Sequence, residues 1–220
     1  MKYIKIFSVV ALFAVVAAGC KTQMIERLDE LALPTGGYMR TVPFIVYRSG
    51  APAAKHQVDL SKTKFTEERL ETIIEAVTAK KAEDFVKYDL SIRFVDNTPA
   101  NGNRTTTFVP LRSIQASAFA KDPQTGYPRH TLVITGTEAL AATKVALADI
   151  TAQPLERRAN GLFAIQTGGA DIPGDEFQIS AVMTLADGRT FSATNTGPNI
   201  TGGAFYASPF LYRMVVAELR

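Results

Sequence analysis

Tryptophan is absent from this 220-residue chain, cysteine occurs once, at Cys20, and histidine twice, at His56 and His130. A single cysteine excludes a disulfide within the chain and any site ligated by several thiolates. The missing indole removes the ring most often used as a stacking platform for sugars. Serine elbows of the G-x-S-x-G type, phosphate loops, dinucleotide loops and H-E-x-x-H zinc helices are all absent from the sequence, and no cofactor or metal motif replaces them. The one long apolar run, residues 6–18, is interrupted only by Ser8 and counts 13 residues. As a helix it would reach only ~20 Å at ~1.5 Å per residue, short of the ~30 Å hydrocarbon core of a bilayer.

What is present begins with that run. Lys2 and Lys5 precede it, and Ala17-Ala18-Gly19 lead from it into Cys20. A basic start, an apolar stretch and a small-residue approach form the layout of a secretory signal. Because the small residues end on the only cysteine, the segment resembles a bacterial lipobox. That resemblance implies cleavage between Gly19 and Cys20, a diacylglycerol on the Cys20 thiol and an acylated new amine. Several acyl chains, at ~0.8 kcal/mol per buried methylene, make a stable membrane anchor where one would be reversible. The alternative is an ordinary signal peptide with an incidental cysteine, although a free thiol in an exported protein is a liability. Lys21 stands where an inner-membrane lipoprotein carries Asp, so the resemblance favours the outer membrane. No acidic cluster follows the cysteine, as it does in many surface-displayed lipoproteins, so the cell surface and the periplasmic face both stay open.

Charge sets a further limit. The formal net charge of +3 falls to +1 once Lys2 and Lys5 leave with the signal, which argues against a nucleic-acid partner. Residues 20–36 are expected to form a lipidated tether, with Met24, Leu28 and Leu31 faintly amphipathic ahead of Pro34-Thr35-Gly36-Gly37. A helix lying on the membrane is the sharper alternative, but the polar face lacks the basic bias of such helices.

From residue 37 the pattern turns to period two. Val86, Tyr88, Leu90, Ile92 and Phe94 alternate with Lys87, Asp89, Ser91 and Arg93, and Phe177, Ile179, Ala181, Met183 and Leu185 alternate with mostly polar residues. The second run meets Asp187-Gly188, a dipeptide suited to a tight hairpin that residues 190–194 would complete. Phe210, Tyr212, Met214 and Val216 predict a last strand, and residues 38–47, 105–114, 131–135 and 162–166 predict shorter ones. Turn clusters at residues 97–103 and 122–126 separate them. Residues 67–81 fit a helix by Leu70, Ile73, Ile74 and Val77, and a strand by their β-branched content. The strand is preferred, partly on the resemblance given below, and would form a hairpin with residues 85–96. Residues 138–148 predict one short helix, with Leu140 and Leu147 on one face. The sum is an all-β chain, a β-sandwich of immunoglobulin or fibronectin-III type over residues 37–220, behind a signal peptide at residues 1–19 and the tether. No linker-like stretch divides that body, which favours one sandwich over two.

Candidate chemistry is sparse. His56 and His130 read as surface histidines, with a catalytic or ligating pair as the alternative. Glu67/Glu68, Glu83/Asp84 and Asp175/Glu176 could serve acid-base chemistry or calcium; neighbours on a strand point to opposite faces, so solvated loop charge is the preferred reading. Tyr127 and Tyr206 lie in loop-like segments and are the candidate ligand-binding rings. The competing role for each is packing a loop onto a sheet edge.

Four stretches carry a further resemblance. They are Pro34-Thr35-Gly36-Gly37-Tyr38-Met39-Arg40-Thr41, Ser91-Ile92-Arg93-Phe94-Val95-Asp96-Asn97-Thr98-Pro99, Leu185-Ala186-Asp187-Gly188-Arg189-Thr190-Phe191, and Gly202-Gly203-Ala204-Phe205-Tyr206-Ala207-Ser208-Pro209-Phe210. Together, and in this order, they resemble a family of Bacteroidetes lipoproteins encoded beside SusC/SusD-type nutrient importers. The resemblance implies a sandwich-like β-fold and a role near substrate capture, with importer subunits or glycan as partners, and it transfers no catalytic residue. The expectation is a lipid-anchored, non-enzymatic accessory binding or scaffolding protein of the outer membrane. An adhesive or structural surface module is the alternative, and an enzyme with acids assembled from distant loops is a third.

Overall fold

The computed structural model describes residues 36–42, 57–151, 155–157, 163–167, 170–196 and 210–217. The predicted signal peptide, with Gly19, and all of the predicted tether except Gly36, with Cys20, lie outside the described residues, as do His56 and Tyr206. Thirteen strands are described in chain order: β1 (Gly37–Val42), β2 (Gln57–Ser61), β3 (Arg69–Thr78), β4 (Phe85–Val95), β5 (Val109–Gln115), β6 (Ala120–Lys121), β7 (Pro128–Thr135), β8 (Leu155–Arg157), β9 (Phe163–Thr167), β10 (Ala170–Pro173), β11 (Glu176–Leu185), β12 (Thr190–Ser192) and β13 (Leu211–Ala217). Helices α1 (Gly136–Thr143) and α2 (Leu147–Thr151) follow β7.

The strands form three sheets. The first has the order β1-β3-β7-β6, the second β2-β13-β11-β4-β5 with β12 added beside β11, and the third β10-β9-β8. Pairing is antiparallel except between β2 and β13, which run parallel. Period-two alternation gives the first two sheets one apolar face each. Met39, Leu70, Ile74, Leu132 and Ile134 from the first sheet join Leu90, Ile92, Phe177, Ile179, Met183 and Met214 from the second in one buried cluster. The chain is therefore an all-β sandwich. Removing each such side chain from water contributes about 1.5–3 kcal/mol. Phe177 is central to the cluster, with its ring centroid 5.4 Å from that of Phe65 and 5.0 Å from that of Phe94.

Residues 67–81 do form a strand, since β3 occupies most of them, but the predicted hairpin with the next strand is not formed. β3 pairs with β1 and β7 in the first sheet, whereas β4 pairs with β11 and β5 in the second. The connection arches from one sheet to the other. Thr78 shapes it: its Oγ1 accepts from the amides of Lys80 (3.3 Å) and Ala82 (3.0 Å) and donates to Asp84 Oδ1 at 2.5 Å. Lys81 and Ala82 take φ of 50° and 60°, a left-handed pair that turns the chain out of the plane a flat hairpin would keep. The hairpin at Asp187-Gly188 is formed as the sequence predicts, with Gly188 at φ 84° and Thr184 opposite Thr190.

The single helix expected over residues 138–148 is replaced by two short ones. Thr135 caps α1 by accepting from the Glu138 amide at 3.1 Å. Lys144, at φ 58°, ends it. Leu140 packs against the core while Leu147, on the next helix, is exposed, so the two leucines share no face. α1 touches β4, β5 and β7, so it closes one side of the sandwich, and Arg112 of β5 holds Glu138 at 2.5 Å.

Candidate functional site

The outer face of the first sheet carries a row of charge. Arg40, Glu75 and Arg129 stand opposite one another on β1, β3 and β7. Side chains at paired positions point to the same face, so both guanidinium groups reach the Glu75 carboxylate. Arg129 Nε donates to Oε1 at 2.8 Å and Arg40 Nε to Oε2. Thr125 Oγ1 adds a bond of 2.9 Å to Oε1. Glu75 is fully buried, and such a charge persists only when paired and hydrogen-bonded. Arg129 also donates to Asp122, whose other oxygen accepts from the amides of Thr125 (2.9 Å) and Gln124 (3.1 Å). Those bonds, led by the Thr125 amide, hold the Asp122 carboxyl below its ordinary range, with the Arg129 charge assisting.

Tyr127, one of the two candidate ligand-binding rings, belongs to this row. The Arg40 guanidinium lies 5.4 Å from its ring centroid, so the ring packs a turn onto the sheet through a cation–π contact. His130 stands on β7, with Nδ1 3.0 Å from the Ala118 carbonyl and its ring 5.2 Å from that of Phe119.

The second polar site joins segments far apart in sequence. Asp96, just past β4, and Asp175, between β10 and β11, are 3% and 5% exposed. The expected solvated loop charge is thus not what residues 175 and 176 form. Asp175 Oδ1 accepts from the Asn97 amide at 2.7 Å, and Thr98 Oγ1 lies 3.3 Å from both carboxylate oxygens. Asp96 Oδ1 accepts from the Thr98 amide at 2.8 Å, and Arg104 approaches its other oxygen at 3.8 Å. Burial pushes the Asp175 carboxyl up to about 6, a rise to which the neighbouring Asp96 charge adds and which the Asn97 and Thr98 bonds oppose. Glu176 points the other way, into the Arg213 guanidinium, with Nε 2.7 Å from Oε2.

The other two acid pairs differ. Glu67 is exposed, and Glu68 accepts from the Ser61 amide. Glu83 is exposed, and Asp84 serves the arch described above. Among the described residues no three His, Cys, Asp or Glu side chains are grouped so as to hold a metal ion.

Sequence reasoning passes over Glu75, Asp96 and Arg93: Glu75 is a lone acid in an apolar stretch of β3, Arg93 one of several alternating polar residues of β4, and Asp96 the first residue after that strand. A charged residue at a position later found buried leaves no trace in a period-two pattern. The sequence matches no known family profile and no curated protein.

Proposed function

We propose that this chain is a lipid-anchored, non-enzymatic accessory binding or scaffolding protein of the outer membrane, working beside a SusC/SusD-type importer. The observation that carries the reading is the basic and apolar leader that runs through Ala17-Ala18-Gly19 into the only cysteine, ahead of a β body whose first strand begins at Gly37. The residues between Cys20 and that strand, at no more than ~3.6 Å each, give a reach of up to roughly 58 Å. That length lets a folded domain stand clear of a lipid surface and meet a neighbouring envelope protein.

The described polar groups support the non-enzymatic part. Glu75 is held between two arginines, Asp96 and Asp175 accept from amides of one loop, and His130 bonds a backbone carbonyl. Each is spent on holding strands and turns together. The immunoglobulin or fibronectin-III character of the sandwich belongs to the same proposal.

Radiolabelled palmitate supplied to the producing cells tests the anchor. Incorporation into the wild-type chain, with loss in Cys20→Ser and release of that variant from the membrane fraction, is the expected result. A wild-type chain that takes up no label and fractionates as soluble protein sinks the reading.

A further inference from the structure

The outer face of the second sheet holds a cation, Arg93, whose side-chain bonds among the described residues go to a neutral amide. Arg93 of β4 stands opposite Gln178 of β11, which stands opposite Arg213 of β13. On the other side, the pairing of Ile92 with Val109 brings Phe108 beside Arg93. The result is a row running Phe108, Arg93, Gln178, Arg213 across three neighbouring strands and the residue that precedes β5. Arg213 is matched by Glu176. Among the described residues no acid pairs with Arg93.

Arg93 is nonetheless held in a fixed pose. Its Nε and Nη2 both donate to Gln178 Oε1, at 2.8 and 2.6 Å, and Gln178 Nε2 donates in turn to Glu176. The Phe108 ring covers the guanidinium plane, with its centroid 4.6 Å from Cζ. Gln178 therefore occupies the side edge of the guanidinium and Phe108 one of its faces. Among the described residues no hydrogen bond is made by Nη1, on the end edge. Phe108 is itself 40% exposed, one of few large apolar side chains so placed. A pre-oriented planar donor beside an exposed aromatic ring suits a ligand that offers an anion and an apolar face together. A pyranose ring carrying a carboxylate has both: oxygen atoms for the end edge, and axial C–H groups for the phenyl surface.

We propose that Arg93 and Phe108, with Gln178 and Arg213 extending the row, form a binding site for an acidic saccharide of the uronate class. The proposal rests on the accessory-binding reading above and names the ligand class for it. Arg93 would take the carboxylate in a two-point contact and Phe108 would stack against the sugar ring.

The test is affinity electrophoresis of the full chain in detergent, through gels containing polygalacturonate or a neutral galactan. Expected is retardation by polygalacturonate alone, weakened as salt rises. Arg93→Gln should raise the apparent Kd at least tenfold and Phe108→Ala several-fold. Arg93→Lys, which keeps the charge and loses the planar fork, should fall between wild type and Arg93→Gln. Lys64→Gln, on an exposed turn away from the row, should match wild type, and unchanged unfolding midpoints would show each variant folded. Equal retardation of wild type and Arg93→Gln overturns the site. Retardation by the neutral polymer alone overturns it too while leaving the accessory-binding reading standing. No retardation by either polymer overturns the saccharide assignment, and recovery of importer subunits by the same preparation would then show that the broader reading survives it.

Discussion

The phenol oxygens of Tyr88 and Tyr212 lie 3.2 Å apart in the interior, on two strands that are not neighbours. β11 runs between them, with Met183 opposite Tyr88 and Ile179 opposite Tyr212. Ala181, small and fully buried, falls between those two positions and leaves the room in which the hydroxyls meet. Burial raises both phenols well above their ordinary range, so the pair stays neutral across all physiological pH. In a double-mutant cycle, Tyr88→Phe and Tyr212→Phe should couple by about 1 kcal/mol, measured by urea unfolding. Strict additivity would show that the contact contributes nothing.

Glu75 is the residue on which the first sheet's outer face depends. Glu75→Gln keeps the shape and removes the charge from between two arginines. Because both guanidinium groups remain about a quarter exposed, the loss should be roughly 2–3 kcal/mol, below that of a wholly buried pair. Replacing Arg40 and Arg129 by Met and Glu75 by Leu together should recover at least half of it. A triple variant less stable than Glu75→Gln would argue against this account.

Asp175 makes stability depend on pH in a defined direction. Its folded value, about 6, lies above the 3.8 of the free group, so between those values the native state holds more proton than the unfolded one. Stability from this group is then full below pH 3.8, falls as pH rises, and is lost above about 6. Solvent screening reduces the effect below the full ~1.4 kcal/mol per unit, to on the order of 1–2 kcal/mol. Asp175→Asn should lack that slope, so that variant and wild type diverge in the variant's favour from pH 4 to 6.5. Parallel stability curves over that interval would contradict the assignment.

Gly136 marks a close approach with no slack. A Cβ there would fall 1.8 Å from the Phe65 carbonyl oxygen, and the Gly136 amide already donates to Glu68 at 3.1 Å. Gly136→Ala should cost at least about 2 kcal/mol and lower the unfolding midpoint by several degrees. A midpoint within one degree of wild type would mean that the segment before β3 can move aside.

Alternation made the long strands of the second sheet readable in sequence, because β4 and β11 bury one face along most of their length and β13 does so over its first half, so that apolar residues repeat at two. β3 was harder. Its second half is buried on both faces, from Ile74 to Thr78, and a run without alternation fits strand and helix alike. The arch after it was unreadable, since an inter-sheet connection and a hairpin use similar turn residues and differ only in which partner each strand finds later. β2 escaped notice because five residues, Gln57–Ser61, carry only Val58 and Leu60 as signal. Of the candidate site residues, Tyr127 lies with its ring against the Arg40 guanidinium, a contact between segments that the sequence alone does not bring together. Arg93 looked like any polar strand position. What distinguishes it, an amide and not an acid opposite it on β11, depends on register and not on local sequence.

The parallel pairing of β2 with β13 sets the order in which this molecule can finish folding. One of these strands stands near the start of the body and the other near its end, and among the described residues β2 has no other neighbour in the sheet than β13. Closing so long a loop is slow, because chain entropy is lost before any contact repays it. During synthesis, β2 lacks its described partner until residues 211–217 arrive. A chaperone that shields strand edges would act in that interval, and a chain cut short before Leu211 would leave β2 open to pairing with another molecule.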